Sequence, residues 1–550
     1  MTDTSEAVLP GVTRGAAKPK VGQAKAGGPA GSRLNRALCA GTDVVRRHWV
    51  LGLLLAAGLA LRAATQISYQ PALLFIDSKK YIFGTDVAST DWGSFDPLGY
   101  TLLVLQPVLM VADLALVALL QHVLGMAMAI ALYVLMLRRG VTRWLAALAV
   151  APVLLDAYQL NAEQTIMPDV LFEALLVAGI VLLLWQPRPG LAFVIAGGLA
   201  LGASAPVRQV GEALIAPALI YVLVATQGWR TRLLNGAALI FCFALPVIGY
   251  MGYSAVTLHY GFELSNMGDA YLYGRAAHAA DCATLKIPPD EQPLCPSVPV
   301  AAALGVDGLV NSDYSPRVRY QPVNVRLGEM ISTLPRQRQL AYSVIRQQPM
   351  LVAGDIARDS VKIFALTRNT DEGDTAISRW QFQTSYPYYP LGITHYGENS
   401  ATNLFAAAGG GGDARVNRTA ATVLRDYQLD GGYTPGPVLL LALLAGTAGI
   451  FTSGRRRDRD RDPASAGARN MALACLLITA SGVAVLLGAD LYEFSWRYQL
   501  PALITLPIAG AVGATAVIRY VRARRGAAAL GAVSGAYPGE LAVTGFKQVP

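Results

Sequence analysis

The stretch DLALVALLQHVLGMAMAIALYVLML, residues 113–137, decides the fold. Its only charged residue is Asp113 at the start, and Arg138 and Arg139 come directly after it. A helix rising 1.5 Å per residue needs about 20 apolar residues to cross a hydrocarbon core of about 30 Å. This block suffices, and blocks of the same character lie at about 49–66, 143–157, 168–185, 191–205, 209–227, 232–256, 436–452, 470–488 and 497–518. The chain is therefore expected to be an all-α polytopic membrane protein with about ten transmembrane helices. The blocks at 143–157 and 191–205 are short and imply tilted or partial spans.

Of the 550 residues, 53% are hydrophobic and 15% charged. The formal charge of +9 does not imply nucleic acid, because the basic residues sit beside the apolar blocks as topology signals do. Arg46 and Arg47 precede the first block, Arg138, Arg139 and Arg143 follow the second, and Arg188 follows the fourth. Arg230 and Arg232 follow the sixth, a run from Arg455 to Arg461 the eighth, and Arg519, Arg522, Arg524 and Arg525 the tenth. Alternating crossings put all of them on one face, which the positive-inside rule makes cytoplasmic, with both termini. The Arg-, Ala- and Gly-rich style points to a bacterial cell membrane.

The blocks divide the chain into five segments. Residues 1–45 read as a disordered cytoplasmic tail with no cleavable signal, so the first block is an uncleaved span. Residues 46–256 form a transmembrane module with a first outer loop at 67–112, and 257–435 an extracytoplasmic domain of mixed or helix-rich structure. That domain is inserted before the last three helices. The C-terminal helices occupy 436–520, and 521–550 is a cytoplasmic tail. A helix is expected near 336–366, divided at Pro349. Tyr386, Tyr388, Tyr389 and Tyr396 read as a structural or sugar-stacking cluster, and Gly409–Gly412 as a hinge. Of the five cysteines, Cys39 lies in the tail and Cys242 and Cys475 in apolar blocks. Cys282 and Cys295 fall together on the oxidising side, where a disulfide is expected. No thiolate–zinc spacing occurs.

The first outer loop carries Asp77, Lys80, Tyr81, Asp86, Asp91 and Asp96. Asp77 and Tyr81, spaced D-x-x-x-Y, share one helical face. A carboxylate at the membrane edge can accept a proton from an incoming hydroxyl, or can simply be a solvated loop acid. Arg208 and Arg497 stand at the ends of apolar helices, suited either to phosphate oxygens or to snorkelling toward headgroups. Tyr498 fits a hydrogen-bond donor beside Arg497 or an interfacial belt.

The order of these features resembles the GT-C glycosyltransferases. That group includes protein O-mannosyltransferases, aminoarabinose transferases and bacterial arabinosyl- and mannosyltransferases. Asp77-Ser78-Lys79-Lys80-Tyr81 takes the place of their first-loop acid, and Asp96-Pro97-Leu98-Gly99-Tyr100 resembles their entry into the next membrane segment. Asn161-Ala162-Glu163 with Pro168-Asp169, Pro206-Val207-Arg208-Gln209, and Arg497-Tyr498 before Leu500-Pro501 resemble later motifs. The likeness covers roughly 49–256 and 490–518. Ser78 departs from the paired acids of several members, so Glu163 is the candidate second acid. Asp169 reads as a complement to its helix dipole.

The resemblance implies sugar transfer, with inversion, from a polyprenyl-phosphate donor to an acceptor hydroxyl on an envelope glycan, lipid or protein. Asp77 would be the base, Glu163 its partner, and Arg208, Arg497 and Tyr498 the phosphate site. Lys80, Tyr81 and Asp96 would belong to the substrate loop. A divalent cation, Mg or Mn, could sit between Asp77 and Glu163. A secondary transporter or flippase is the rival, as is a non-catalytic membrane scaffold. A transporter should carry polar residues near the bilayer midplane, and an ATP-driven pump a phosphate loop that this sequence lacks.

Overall fold

The computed structural model describes residues 46–75, 77–82, 96–259, 261–265, 268–312, 314–319, 327–385, 414–453 and 463–535. The tails, Cys39, Asp86, Asp91, the tyrosines at 386–396 and Gly409–Gly412 lie outside them, apart from residues 521–535. The chain divides into residues 1–49 and 50–550, and the helical body is the second unit.

Apolar helices dominate: α1 (Trp49–Ser68), then after a short α2 (Ser78–Ile82) come α3 (Leu114–Arg138), α4 (Arg143–Leu155), α5 (Ala157–Gln164) and α6 (Asp169–Leu184). α7 (Leu191–Ser204), α8 (Ile215–Ala225) and α9 (Trp229–Tyr253) continue the series. α3 begins where Asp113 accepts from the backbone N–H groups of Ala115 and Leu116, satisfying donors that a helix start leaves open. Next come α10 (Gly268–Ala279), α11 (Val298–Asn311), α12 (Leu327–Gln347), α13 (Pro349–Val361) and α14 (Arg418–Leu429). α15 (Gly436–Ile450), α16 (Pro463–Tyr492) and α17 (Leu500–Gly535) close the described chain.

Each expected span coincides with a helix, and a smaller number are long and apolar enough by themselves to cross. Among the described residues five helices are long and apolar enough: α1, α3, α9 prolonged to Leu258, Ala466–Tyr492 and Trp496–Gly526. α4 and α5, bent by 49° at their junction, make a sixth if they form one broken span. α6, α7 and α15 have 16, 14 and 15 residues. At 1.5 Å per residue these reach about 21–24 Å, short of a full core. Five clear apolar spans are shown, and about ten crossings stays an expectation. A multi-pass membrane protein remains the plain reading, because Leu53, Leu59, Phe241, Leu245 and Ile248 are more than half exposed on α1 and α9.

Small residues bring helices together. Gly510 meets Ala442, and Gly513 meets Ala445 and Gly446, so α15 and α17 pack backbone to backbone. Beyond α9, helices α10–α13 bury Tyr273, Leu294, Leu309, Leu340 and Val344 in a separate core. α12 ends and α13 begins around Gln348, as Pro349 requires, while Met350 is 79% exposed. Cys282 and Cys295 are disulfide-bonded, with Cα atoms 6.0 Å apart. Fully buried Arg275 bonds Asp355 at 2.6 Å and Asp359 at 2.7 Å.

Two ties fasten this region to the membrane helices. Strand β1 (Tyr69–Gln70), just after α1, pairs antiparallel with β2 (Arg415–Val416), with Tyr69 opposite Val416. Asp156, which caps α5, also accepts from Arg368 at 2.9 Å and from the Thr434 N–H at 2.7 Å.

Candidate active site

The loop after β1 is fixed before it reaches Asp77. Leu73 donates to Gln164 O and accepts from Ile166 N, both at 3.0 Å, so the first loop lies on the turn between α5 and α6. Ser78 then closes a tight turn: its Oγ accepts from Phe75 N at 2.8 Å and its N–H donates to Phe75 O at 2.9 Å. The side chain at the departure from the paired-acid pattern is thus buried and structural.

That turn presents Asp77 and Lys80 on one side. Lys80 Nζ lies 3.0 Å from Asp77 Oδ1 and 2.9 Å from Asp96 Oδ2. Burial opposes the Lys80 charge, but Asp77 and Asp96 outweigh it and hold the ammonium well above its usual range. Tyr81 is buried, packs edge-on against Tyr100 at 5.6 Å, and is pushed up by burial.

Two sequence motifs meet behind this turn. Gly99 N–H donates to Pro206 O at 2.8 Å, and a Cβ on Gly99 would collide with that carbonyl. Only glycine allows this approach, which brings the segments carrying Asp96 and Arg208 to the same cleft. Arg208 is paired with Asp169 at the start of α6, and its guanidinium lies 4.5 Å from the Tyr498 ring centroid.

The third contribution comes from the turn Trp496–Gln499 before α17. Arg497 is 9% exposed. Its Nη1 lies 3.8 Å from Asp77 Oδ2 and its Nε 3.8 Å from Asp169 Oδ1. Its Nη2 donates to the Tyr498 hydroxyl at 2.9 Å, and it packs over the rings of Tyr498 and Trp380. Arg208 and Arg497 thus face the same tyrosine ring and share Asp169.

Asp77, Lys80, Tyr81, Asp96, Arg208, Arg497 and Tyr498 line one cleft of about 770 Å³. Pattern reading missed two of its members, Tyr271 of α10 and Glu493. Glu493 stands four residues before Arg497 in LYEFSWRY, a spacing that was the available signal. Burial pushes the Glu493 carboxyl well above the usual carboxylate range, against Arg497 and Tyr498, which favour its charge.

Glu163 is not in this cleft. It is fully buried, with Oε1 2.7 Å from Arg62 Nη2 and Oε2 2.9 Å from His122 Nδ1. Gln164 Oε1 bonds the other His122 ring nitrogen at 2.8 Å. The expected Asp77–Glu163 pair is corrected: Glu163 joins α1, α3 and α5, and the acids near Asp77 are Asp96, Asp169 and Glu493. A cation bridging Asp77 and Glu163 fails for the same reason. Among the described residues no group of three or more His, Cys, Asp or Glu side chains is placed to hold a metal.

No protein-family model and no curated protein matches the sequence. Among solved structures, the archaeal oligosaccharyltransferase AglB from Archaeoglobus fulgidus, in complex with an inhibitory peptide and a dolichol-phosphate, is similar. The match covers 91% of this chain and 53% of that one, with 14% identity and a TM-score of 0.39. The chain therefore spans about half the length of that protein. ArnT from Cupriavidus metallidurans in the apo state is similar over 82% of this chain and 78% of its own, with 12% identity and a TM-score of 0.27. Both scores are low, and the functional reading rests on the side chains of the cleft.

Proposed function

We propose that the protein is a membrane glycosyltransferase that moves a sugar from a polyprenyl-phosphate donor to an acceptor hydroxyl. The observation that carries this is the convergence of the partly exposed Asp77 carboxylate and two guanidinium groups in a single cleft. A phosphoryl group needs paired cationic donors, and a hydroxyl nucleophile needs an acceptor for its proton. Asp77 is 25% exposed and supplies the second; Arg208 and Arg497 supply the first.

In the proposed step the acceptor oxygen attacks the anomeric carbon while its proton passes to Asp77. The bond from that carbon to the phosphate oxygen breaks, and polyprenyl phosphate leaves with the electron pair. Arg208 and Arg497 offset the charge that grows on the departing oxygen. One displacement inverts the anomeric carbon. Aspartate is ionised at neutral pH by its ordinary titration range, about 3.9, so Asp77 needs position more than activation. Lys80 supplies that position by holding the carboxylate from one side. The arginine-rich ends are taken as cytoplasmic and the cleft as extracytoplasmic, where a lipid-delivered donor is required because nucleotide sugars are cytoplasmic. The acceptor is an envelope glycan, lipid or protein.

A transporter would need its polar groups open to a passing substrate. The Arg62, His122 and Glu163 cluster is at most 4% exposed and bonded within the protein, whereas the partly exposed polar groups gather in the Asp77 cleft. The test is sugar transfer by purified protein from labelled polyprenyl-phosphate sugars to crude envelope acceptor. Asp77→Asn should lower the rate by about 10²–10⁴-fold with folding and lipid binding intact. Undiminished transfer would move the base elsewhere. Lipid binding without transfer by the unaltered protein would favour a flippase or a scaffold.

A further inference from the structure

A second cavity, of about 760 Å³, adjoins the cleft on the side of α11 and α13. Asp307, Asp359, Lys362, Glu372, Asp374 and Glu493 are among its walls. Glu493 lines this chamber and the cleft alike. It is 7% exposed, and its Oε2 has no hydrogen-bond partner. A buried carboxylate oxygen left bare is costly, and a donating ligand group at that point would relieve the cost.

The lining selects the ligand. Ionised carboxylates only accept hydrogen bonds, and the walls carry Asp307, Asp359, Glu372 and Asp374, so the chamber calls for donors. Lys362 is spent on Asp359 and Asp374, at 3.0 and 2.8 Å. Among the described residues no group of three or more His, Cys, Asp or Glu side chains is placed to hold a metal ion. A polyol, by contrast, can donate its hydroxyls to carboxylates spread over several walls.

We propose that this chamber is the subsite for a saccharide acceptor, and that Glu493 marks where the acceptor hydroxyl passes into the donor cleft. The inference rests on the transferase reading and names its acceptor class.

The experiment reads binding rather than turnover. Full-length protein in a sugar-free detergent is probed by saturation-transfer NMR with cellobiose, maltose and chitobiose. Polyprenyl-phosphate binding is measured in parallel. Thr375 lies on the chamber wall and has no place in the cleft. A Thr375→Cys variant, made with Cys39→Ser, is capped with a polyethylene-glycol maleimide. At least one saccharide should bind, and capping should weaken it tenfold or more with lipid binding unchanged. Glu372→Ala, at an exposed wall position, should weaken it several-fold without a bulky group. Absence of binding by all three saccharides, or binding indifferent to both changes, would overturn the proposal. Saccharide binding in a protein that binds no polyprenyl phosphate would sink the transferase reading, and the acceptor role with it.

Discussion

Lys80→Gln isolates the electrostatics of the cleft. In the native protein one ammonium touches both Asp77 and Asp96, at 3.0 and 2.9 Å. The two contacts put the carboxylate oxygens no more than about 6 Å apart, where like charges at an effective dielectric of 20 repel by roughly 3 kcal/mol. Without the ammonium the two carboxylates lose their shared counter-charge, so the ionised form of Asp77 is disfavoured. A base that must be ionised is lost at a higher pH once its charged form is disfavoured, so the acid limb of kcat/KM moves to higher pH. At pH 8 the variant should keep most of its transfer rate, and its loss relative to the native protein should grow as the pH falls toward 5. Lys80 itself is held well above its usual range, so its stabilising contribution is complete below about pH 10 and fades only as pH rises through its raised value. Native protein therefore shows no Lys80-linked loss between pH 5 and 9. The assay is sugar transfer across that interval, with Lys80→Arg as the charge-retaining control and thermal unfolding to confirm folding. An acid limb that does not move in Lys80→Gln would refute the bridging role.

Arg497→Ala should lower kcat by about 10²–10³-fold, the usual cost of one charge-stabilising donor, while Arg497→Lys keeps charge but loses the stacking and recovers only part. Equal rates for Lys and native protein would remove the phosphate role. Arg62→Ala leaves Glu163 buried without its cation and should cost about 3–5 kcal/mol, read as a lower unfolding temperature and yield. Joint replacement of Arg62 and Glu163 by leucine should restore much of it. Cys282→Ser with Cys295→Ser opens a loop with a sequence separation of 13, worth about 3 kcal/mol in the chain-entropy account. Its effect should be confined to α10–α13, seen as faster hydrogen exchange there.

Helix positions were legible because a long uncharged block can satisfy its backbone polar groups in lipid by coiling into a helix. Helix length was less legible, since the ends of the 14- and 16-residue apolar helices are fixed by Pro206 and Pro168 and not by charge. The cleft was legible through motif order: 71–81, 96–100, 206–208 and 497–498 are remote in sequence but joined by Gly99–Pro206 and Asp77–Arg497 contacts. Glu163 misled for a physical reason. An acid in a short interhelical turn looks the same whether it faces a cleft or a buried arginine, and Arg62 lies 101 positions away with no local cue. Asp169 was read as a dipole partner from its place in the first turn of α6, and the pairing with two arginines was invisible for the same cause.

The two buried charge clusters play opposite roles, and their geometry separates them. Around Glu163 each carboxylate oxygen has a partner within 3 Å, and Arg62 spreads its two amino groups over Glu163 and the carbonyls of Gly58, Val153 and Leu154. Removal from water is offset there for the carboxylate itself, although Arg62 Nε and Gln159 Oε1 stay unbonded. Around Arg497 the pairs are stretched to 3.8 Å, and Arg497 Nε, Asp169 Oδ2 and Glu493 Oε2 stay unbonded. Buried polar atoms left unmatched are costly, and folding alone does not favour them. Arg208 and Asp77 remain 13% and 25% exposed beside them, so the incomplete cluster is also the accessible one. A ligand bringing phosphate oxygens to the guanidinium groups and hydroxyls to the carboxylates would complete what the chain leaves open. That is the physical reason for placing chemistry at Asp77 and architecture at Glu163.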